Sequence, residues 1–246
     1  KEFPQSSLLK CAIWAGKSRW SNWPSWLSLI FQIIVKKNCI SALDPCEASW
    51  DIDDSNRYPI PHMNNHYSFI GGQEGQWRVT RCDTVVGAPI EAVPRLNVVN
   101  TAASQLSQRG TWVLQGFTSN VRYAERHEIN QLRAKQEGLS RPASTCAALI
   151  PIKKNAQWWA LSQDERRAIF EAQSHHTEIG LAYLPEIARQ LHHSRDLGEP
   201  FDFLTWFEFA PEHTDAFDEL LVKLRASEEW KYVEREVDIR LLKVPV

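Results

Sequence analysis

The stretch that decides the fold class is FDFLTWFEFAPEHTDAFDELLVKLRASEEWKYVEREVDIRLLKV, residues 201–244. Its first nine residues, 201–209, are apolar at most positions and on both faces of an extended chain. One face would carry the phenylalanines at 201, 203, 207 and 209, and the other would carry Leu204 and Trp206. This pattern predicts a central strand that is covered on both sides.

A helix and another strand follow this strand. Residues 211–230 place apolar side chains at helical spacing, and they form one inward stripe: Phe217, Leu220, Leu221 and Leu224. Residues 234–244 then alternate apolar and charged side chains, as a strand with one buried face does. The stretch therefore predicts strand, helix and strand in succession.

Upstream, the pattern predicts three more strands and a long helical zone. The strand candidates are 75–86, 111–123 and 145–154. The helical zone begins at Ser162, where Glu165 three residues later completes a capping box. The predicted order from residue 67 is β-α-β-β-α-α-β-α-β. It favours an α+β sheet with helices on one face, in the ferredoxin-like style.

Composition excludes several classes of function. The formal net charge of −2 gives no basic field, so we expect no nucleic-acid partner. The sharpest apolar run, residues 26–35, is too short to cross a bilayer as a helix, and we expect no membrane association; a targeting segment is the alternative. Five cysteines without a CxxC pair argue against a zinc ribbon or a disulfide framework.

Residues 1–65 differ from the rest of the chain. They hold five of the eleven tryptophans and three of the five cysteines, and no long periodic pattern organises them. We expect an N-terminal extension of unknown role here, poorly ordered or not. The regular pattern begins near Tyr67.

Five of the eight histidines lie in residues 174–213, four of them as two adjacent pairs. Adjacent histidines on a helix point about 100° apart, so neither pair has the i, i+4 spacing of a zinc site. On the predicted helix His176 shares its face with Ile169 and Ile179, whereas His175 shares a more polar face with Glu171. The pattern leaves open whether His176 is a core histidine or a single axial ligand. Gly180, one turn away, would let a flat ring approach closely.

Pro185 interrupts this helical zone, because proline removes a backbone donor and kinks or restarts a helix. Residues beyond it can therefore reach the same pocket from another direction. Two arginines lie there, Arg189 and Arg195, and the pattern does not choose between them.

At these residues the chain resembles the chlorite dismutase family of haem proteins. The resemblance is carried by residues 157–213 (QWWALSQDERRAIFEAQSHHTEIGLAYLPEIARQLHHSRDLGEPFDFLTWFEFAPEH) and 224–241 (LRASEEWKYVEREVDIRL). It extends more weakly over residues 67–242. It implies a dimeric α+β barrel of two ferredoxin-like halves, residues 66–150 and a haem-binding half 151–246.

The resemblance also implies roles for individual residues. His176 would be the axial ligand of the haem iron, Glu229 the carboxylate that bonds its other nitrogen, and Arg189 the catalytic arginine on the opposite side. The remaining cofactor contacts would come from propionate-holding side chains and apolar pocket walls: Lys154, Trp158 and Tyr123, and Ile150 and Leu184.

The function implied is that of an enzyme with one haem b per chain. It would decompose chlorite to chloride and dioxygen through a ferryl and hypochlorite step. Two alternatives remain: a relative that decarboxylates coprohaem or acts as a weak peroxidase, and a haem-binding protein without turnover. The resemblance implies a homodimer, with a pentamer as the alternative. It implies a cytoplasmic location, or a periplasmic one if the N-terminal region is a targeting segment.

Overall fold

The computed structural model describes residues 65–101, 109–118 and 123–245. The predicted N-terminal extension therefore lies outside the described residues, apart from Asn65. Eight strands occur in the described part: β1 His66–Gly72, β2 Trp77–Val86, β3 Arg95–Val99, β4 Trp112–Phe117, β5 Cys146–Lys154, β6 Ala188–His193, β7 Phe203–Phe209 and β8 Val233–Lys243.

Five α-helices accompany them: α1 Arg126–Lys135, α2 Ala156–Ala160, α3 Gln163–Arg167, α4 His176–Leu181 and α5 Thr214–Arg225. A π-helical turn covers Ala168–Gln173, and 3-10 turns cover Arg195–Leu197, Pro211–His213 and Glu228–Tyr232. Within the described ranges, no helix combines the length and the apolar character that crossing a membrane requires.

The eight strands close into one antiparallel barrel in the order β1-β3-β2-β8-β5-β7-β6-β4. The first four strands are arranged β4-β1-β3-β2 and the last four β8-β5-β7-β6, so each set repeats the same order. This is the strand order of a ferredoxin-like unit, and the predicted α+β class with two such halves is confirmed. The division between residues 150 and 151 stays a prediction; it lies inside β5, with which the second set begins.

The barrel interior is one hydrophobic core. Val237, Ile239 and Leu241 of β8 point into it, as their alternation with charged residues predicts. Leu204 and Trp206 of β7 join them. Phe201 also packs there rather than with the other phenylalanines, because it precedes β7 and does not follow the alternation of the strand.

The outer face of β5 and β7 carries a second core, covered by α5. The four residues of the predicted stripe, Phe217, Leu220, Leu221 and Leu224, are the buried residues of this helix. Burying side chains of this size contributes roughly 1.5–3 kcal/mol each. The predicted strand is therefore covered on both faces, by the barrel core and by this layer.

The predicted helical zone is broken in the structure. The capping box of Ser162 and Glu165 is present, but α3 ends at Arg167 and a π-helical turn follows. His175 then adopts a left-handed conformation (φ 51°), and α4 starts at the next residue. Because such π segments often occur at functional sites, the break itself marks this region.

The predicted element order is wrong at three strands, β1, β3 and β6. The pattern after Pro185 predicts a kinked or restarted helix, but residues 188–193 form β6. The reason is tertiary: β6 pairs along its whole length with β7, from Ala188↔Glu208 to His193↔Phe203, and this pairing outweighs any local helical preference.

Candidate functional site

A cavity of about 370 Å³ lies on the outer face of the second half of the barrel. Its sheet wall carries Ile150, Ile152 and Lys154 from β5, Phe203, Thr205 and Phe207 from β7, and Arg189, Leu191 and His193 from β6. Its other wall carries residues of the helical layer and of the turn that precedes β8: Leu132, Gln136, Trp158, Phe170, His176, Thr177, Glu229 and Trp230. Six of these lining residues are predicted site residues, and they share one cavity: Ile150, Lys154, Trp158, His176, Arg189 and Glu229.

His176 enters the cavity from the first position of α4. Its Nδ1 lies 2.7 Å from Oε2 of Glu229, and its ring stacks on Phe170 at 4.3 Å between centroids. The adjacent His175 is turned outward, with 61% of its side chain exposed. Since Nδ1 is engaged by the carboxylate, Nε2 is the nitrogen that His176 can offer to a ligand.

Glu229 is buried and held from three directions. Oε1 accepts a hydrogen bond from Nζ of Lys154 at 2.8 Å, and the backbone N–H of Glu229 donates to Oγ of Ser174 at 2.8 Å. Burial alone would raise the pKa of the Glu229 carboxyl, but the neighbouring charges of His176 and Lys154 outweigh burial and lower the pKa to about 2. The group beside His176 is therefore a carboxylate at neutral pH.

Lys154, whose role as a propionate contact stays a prediction, bonds Glu229 in the structure. Its ammonium also donates to the backbone oxygen of Glu229 at 3.1 Å and lies 4.8 Å from the centroid of the Trp158 ring. Burial lowers the pKa of Lys154 below its usual range, although the charge of Glu229 opposes this shift. The positive charge of Lys154 therefore compensates the negative charge of Glu229, because a buried carboxylate needs a partner of opposite charge.

Trp158 is 1% exposed, and its indole N–H points to no acceptor among the described residues. Buried N–H donors are nearly always bonded, so an orphaned donor at a cavity wall indicates an acceptor that a bound molecule would provide. The next residue is different, since Nε1 of Trp159 donates to Asp202 at 3.1 Å.

Arg189 projects from β6 into the cavity. Among the residues that the structure describes, none accepts a hydrogen bond from its guanidinium and none forms an ion pair with it. Burial lowers the pKa of Arg189, and the charge of Glu171 opposes this shift. A partly buried cation that has no partner among the described residues is a strong candidate for binding an anion.

The structure also shows which of the two arginines lies in the cavity, a choice that the sequence pattern leaves open. Arg195 follows β6, stacks on Trp159 at 3.7 Å from the ring centroid and lies 3.8 Å from Asp202. Its side chain is 48% exposed. Arg195 therefore belongs to the surface beside the site and not to the cavity.

Two predicted contacts with the cofactor line the cavity, and a third does not. Tyr123 lines it and packs edge-on against Trp158 at 6.1 Å between centroids. Ile150 lines it from β5. Leu184 is buried, but it is not among the described residues of the cavity wall, because the chain turns toward β6 there.

Sequence reasoning missed several residues of the site. Phe170 stacks on His176, and Ser174 holds the backbone of Glu229 from 55 residues away, which no local spacing reveals. Thr205 and Phe207 share a face of β7 with Phe203, so the strand alternation could have placed them in the wall.

These features fit a haem held by one imidazole. The described residues contain no group of three or more His, Cys, Asp or Glu side chains arranged to hold a metal ion. His176 would hold the haem iron through one imidazole, and a carboxylate on the other ring nitrogen raises the basicity of that ligand. The orphaned N–H of Trp158 is the kind of donor that a propionate would satisfy.

Comparison with known proteins places this site in a family. The family model described as chlorite dismutase matches residues 90–242. A curated chlorite dismutase from Ideonella dechloratans is 33% identical over 121 residues, which are 48% of this chain and 40% of the relative. The chain thus spans about two fifths of the length of that relative.

Solved structures agree. A crystal structure of dimeric chlorite dismutases from Nitrobacter winogradskyi is 52% identical, with a TM-score of 0.69, and covers 72% of this chain and 99% of its own. A chlorite dismutase from Candidatus Nitrospira defluvii in complex with imidazole is 21% identical, with a TM-score of 0.53, and covers 75% of this chain and 92% of its own. The second likeness concerns the fold alone.

Proposed function

Because the chain belongs to the chlorite dismutase family, we propose that it binds haem b and decomposes chlorite to chloride and dioxygen. The observation that carries this proposal is one cavity that holds two polar elements. One is the imidazole of His176 backed by a buried carboxylate, and the other is the guanidinium of Arg189, which has no hydrogen-bond or ion-pair partner among the described residues. Bound haem would supply the redox-active iron at which the chlorine–oxygen bond breaks and the oxygen–oxygen bond forms.

His176 and Glu229 would hold the cofactor from one side. With Nδ1 bonded to Glu229, the imidazole keeps one tautomer and one ring orientation. Lys154 balances the charge of the carboxylate and helps to keep Glu229 ionised. An imidazole that is hydrogen-bonded to a carboxylate donates more strongly to a metal than an imidazole that is hydrogen-bonded to a backbone carbonyl.

Arg189 would bind the substrate anion on the other side. A guanidinium stays cationic in this site and offers several N–H donors in one plane, which suits an oxyanion such as chlorite. Phe203, Phe207 and Leu191 also line the cavity, and apolar walls of this kind strengthen the attraction between the cation and an anion. The same interaction would retain the chlorine-containing fragment until dioxygen is released.

The direct test is reconstitution of the full chain with haem b. Addition of chlorite should release dioxygen, measured at an oxygen electrode, and chloride in equal amount. Absence of oxygen release from a fully loaded protein would reject the chlorite activity. A decarboxylase or peroxidase activity would then be assayed on the same preparation, with coprohaem or with hydrogen peroxide.

Replacing Glu229 with glutamine should raise the ferric/ferrous potential of the reconstituted protein. The neutral amide stabilises the ferric state less than the carboxylate does, because a charge-assisted hydrogen bond is roughly twice as strong as a neutral one. We expect a shift on the order of 60 mV, which corresponds to a tenfold change for a one-electron couple. Spectroelectrochemical titration measures it.

The matched control for this change is Glu228→Gln at the neighbouring exposed residue, which pairs with Lys231. The control should keep the potential of the unaltered protein. An unchanged potential in Glu229→Gln would show that this carboxylate does not tune the iron.

Replacing Trp158 with phenylalanine should weaken haem binding while the aromatic packing against Tyr123 is kept. A lost hydrogen bond to a charged propionate contributes about 1.5–3 kcal/mol, so the dissociation constant should rise roughly 10–100-fold. Haem transfer to apomyoglobin measures it. Trp159→Phe, whose indole N–H already donates to Asp202, should change the constant much less; equal effects would refute the role of Trp158.

We also propose a homodimer, on the support of the relative from Nitrobacter winogradskyi, which is described as dimeric and matches over nearly its whole chain. Light scattering of the eluting peak in gel filtration should give twice the mass of the chain. Five times that mass would favour a pentamer instead.

A further inference from the structure

The turn that carries Glu229 is capped from a distant part of the chain. This 3-10 turn, Glu228–Tyr232, begins after Ser227, but the hydroxyl of Ser227 donates back to the carbonyl oxygen of Leu224 at 2.7 Å. The first N–H groups of a helical turn have no partner within it, and a side-chain oxygen just before the turn usually accepts from one of them. Here the N–H of Glu229 donates instead to Oγ of Ser174, which lies 2.8 Å away and 55 residues earlier in the chain.

Ser174 and His176 contact Glu229 together. Ser174 is 3% exposed and directly follows the π-helical turn, whereas His176 begins α4 and places its Nδ1 2.7 Å from Oε2 of Glu229. In a regular helix two side chains with this spacing would point about 200° apart, since each residue turns the helix by about 100°. The left-handed backbone of His175 (φ 51°) interrupts the helix between them, and both side chains reach the same residue. The backbone and the carboxylate of Glu229 are therefore both bonded to one short segment, residues 174–176.

The other hydrogen bonds of Glu229 come from the sheet. Nζ of Lys154, on β5, donates to the carboxylate at 2.8 Å and to the backbone oxygen at 3.1 Å. These bonds hold Glu229 against the barrel, and the bond from Ser174 holds its backbone against the segment that carries His176. All these contacts lie on the Nδ1 side of His176, whereas the iron is assigned to Nε2. Bound haem therefore leaves them in place.

We propose that Ser174 is a positioning residue for the His176–Glu229 pair. It acts by holding the backbone of Glu229 where the carboxylate can bond Nδ1. The effect of Ser174 on the iron rests on the proposed function. The coupling of Ser174 to the pair does not, and it can be measured in the protein without haem.

Ser174→Ala removes the acceptor and leaves the N–H of Glu229 without its cap. A hydrogen bond weakens steeply when its geometry departs from alignment, so a carboxylate on a loosened turn bonds the imidazole less well. We expect the ferric/ferrous equilibrium of the reconstituted protein to shift about threefold toward the ferrous state, which is about 30 mV upward for a one-electron couple. The iron–histidine stretching band of the ferrous protein, measured by resonance Raman spectroscopy, should move to lower frequency, because the ligand is less basic.

Ser68→Ala is the matched control. Ser68 is 0% exposed, and its Oγ also makes one hydrogen bond, to the carbonyl oxygen of Thr101 at 2.7 Å, but it lies on β1 in the other half of the barrel. Both variants lose a buried hydrogen bond, so both should unfold about 2–4 °C lower. Only Ser174→Ala should change the potential and the Raman band. An unchanged potential and band in Ser174→Ala, or an equal shift in Ser68→Ala, would overturn the proposal.

A double-mutant cycle in the haem-free protein tests the coupling itself. The Tm losses of Ser174→Ala and His176→Ala should add up to more than the loss of the double variant, because both side chains hold Glu229 and residues of one hydrogen-bond network are coupled. Strictly additive losses would reject the coupling. If the unaltered protein binds no haem or releases no oxygen from chlorite, the proposed function fails, and this cycle still decides whether Ser174 positions Glu229 against His176.

Discussion

The Arg189→Ala protein should bind haem with normal affinity and lose most of its oxygen release from chlorite. The guanidinium makes no bond that holds the fold together among the described residues, so its removal should not lower stability. Removing a preorganised donor of this kind typically reduces rates by about 10²–10³-fold, and we expect that loss in kcat/KM. An oxygen electrode and a haem titration of the same preparation measure both quantities.

Two further variants sharpen this test. Arg189→Lys keeps the charge but loses the planar fork, so it should recover only part of the activity. Arg195→Ala removes the arginine that stacks on Trp159 outside the cavity, and it should retain oxygen release. Full activity in Arg189→Ala, or equal losses in the two alanine variants, would contradict the role given to Arg189.

The His176→Ala protein should fail to retain haem. His176 lines the cavity from the helical layer with its Nδ1 bonded to Glu229, so the alanine change removes the nitrogen that we assign to the iron. The change also removes the hydrogen bond to Glu229, which should lower the free energy of unfolding of the haem-free protein by roughly 1–3 kcal/mol. Gel filtration after reconstitution and urea titration measure the two effects.

The control for this variant is the adjacent histidine. His175 has a left-handed backbone, which asparagine also tolerates, so His175→Asn avoids backbone strain. It should retain haem and the intense absorption band of a histidine-ligated iron. A His176→Ala protein that kept the same band and the same haem affinity would remove His176 from the ligand position.

The elements predicted well from sequence are those whose signal is local. The buried stripe of α5 follows a 3.6-residue period that one helix can satisfy alone, and the alternation of β8 has the same local character. The sequence pattern does not reveal strands β1, β3 and β6, which are specified by their partners: β1 pairs with β3 and β4, and β6 pairs with β7. Local patterns contain no record of such pairing.

The residues of the site show the same difference between local signals, which the sequence contains, and long-range contacts, which it does not. Helical spacing singled out His176 from His175, but the helix assumed for that argument is broken at His175, and the outcome depends on where α4 begins. The link between Lys154 and Glu229 joins residues 75 positions apart, and spacing gives no sign of it. Arg189 and Arg195 differ only in that one lies within β6 and the other beyond it, a boundary that pairing with β7 creates.

The two halves of the barrel are joined by two strand pairings of very different length. Strands β2 and β8 are paired from Trp77↔Lys243 to Val86↔Glu236, whereas the described parts of β4 and β6 share the single pair Phe117↔His193. Relative motion of the two halves would therefore meet less resistance at the β4–β6 pairing than at the β2–β8 pairing. His176, Glu229 and Lys154 all belong to the second half and would move as one body, while the strand that carries Arg189 forms the shorter pairing. β6 is thus a strand of the second half that is fully paired with β7 on one side and by a single residue pair with β4 on the other.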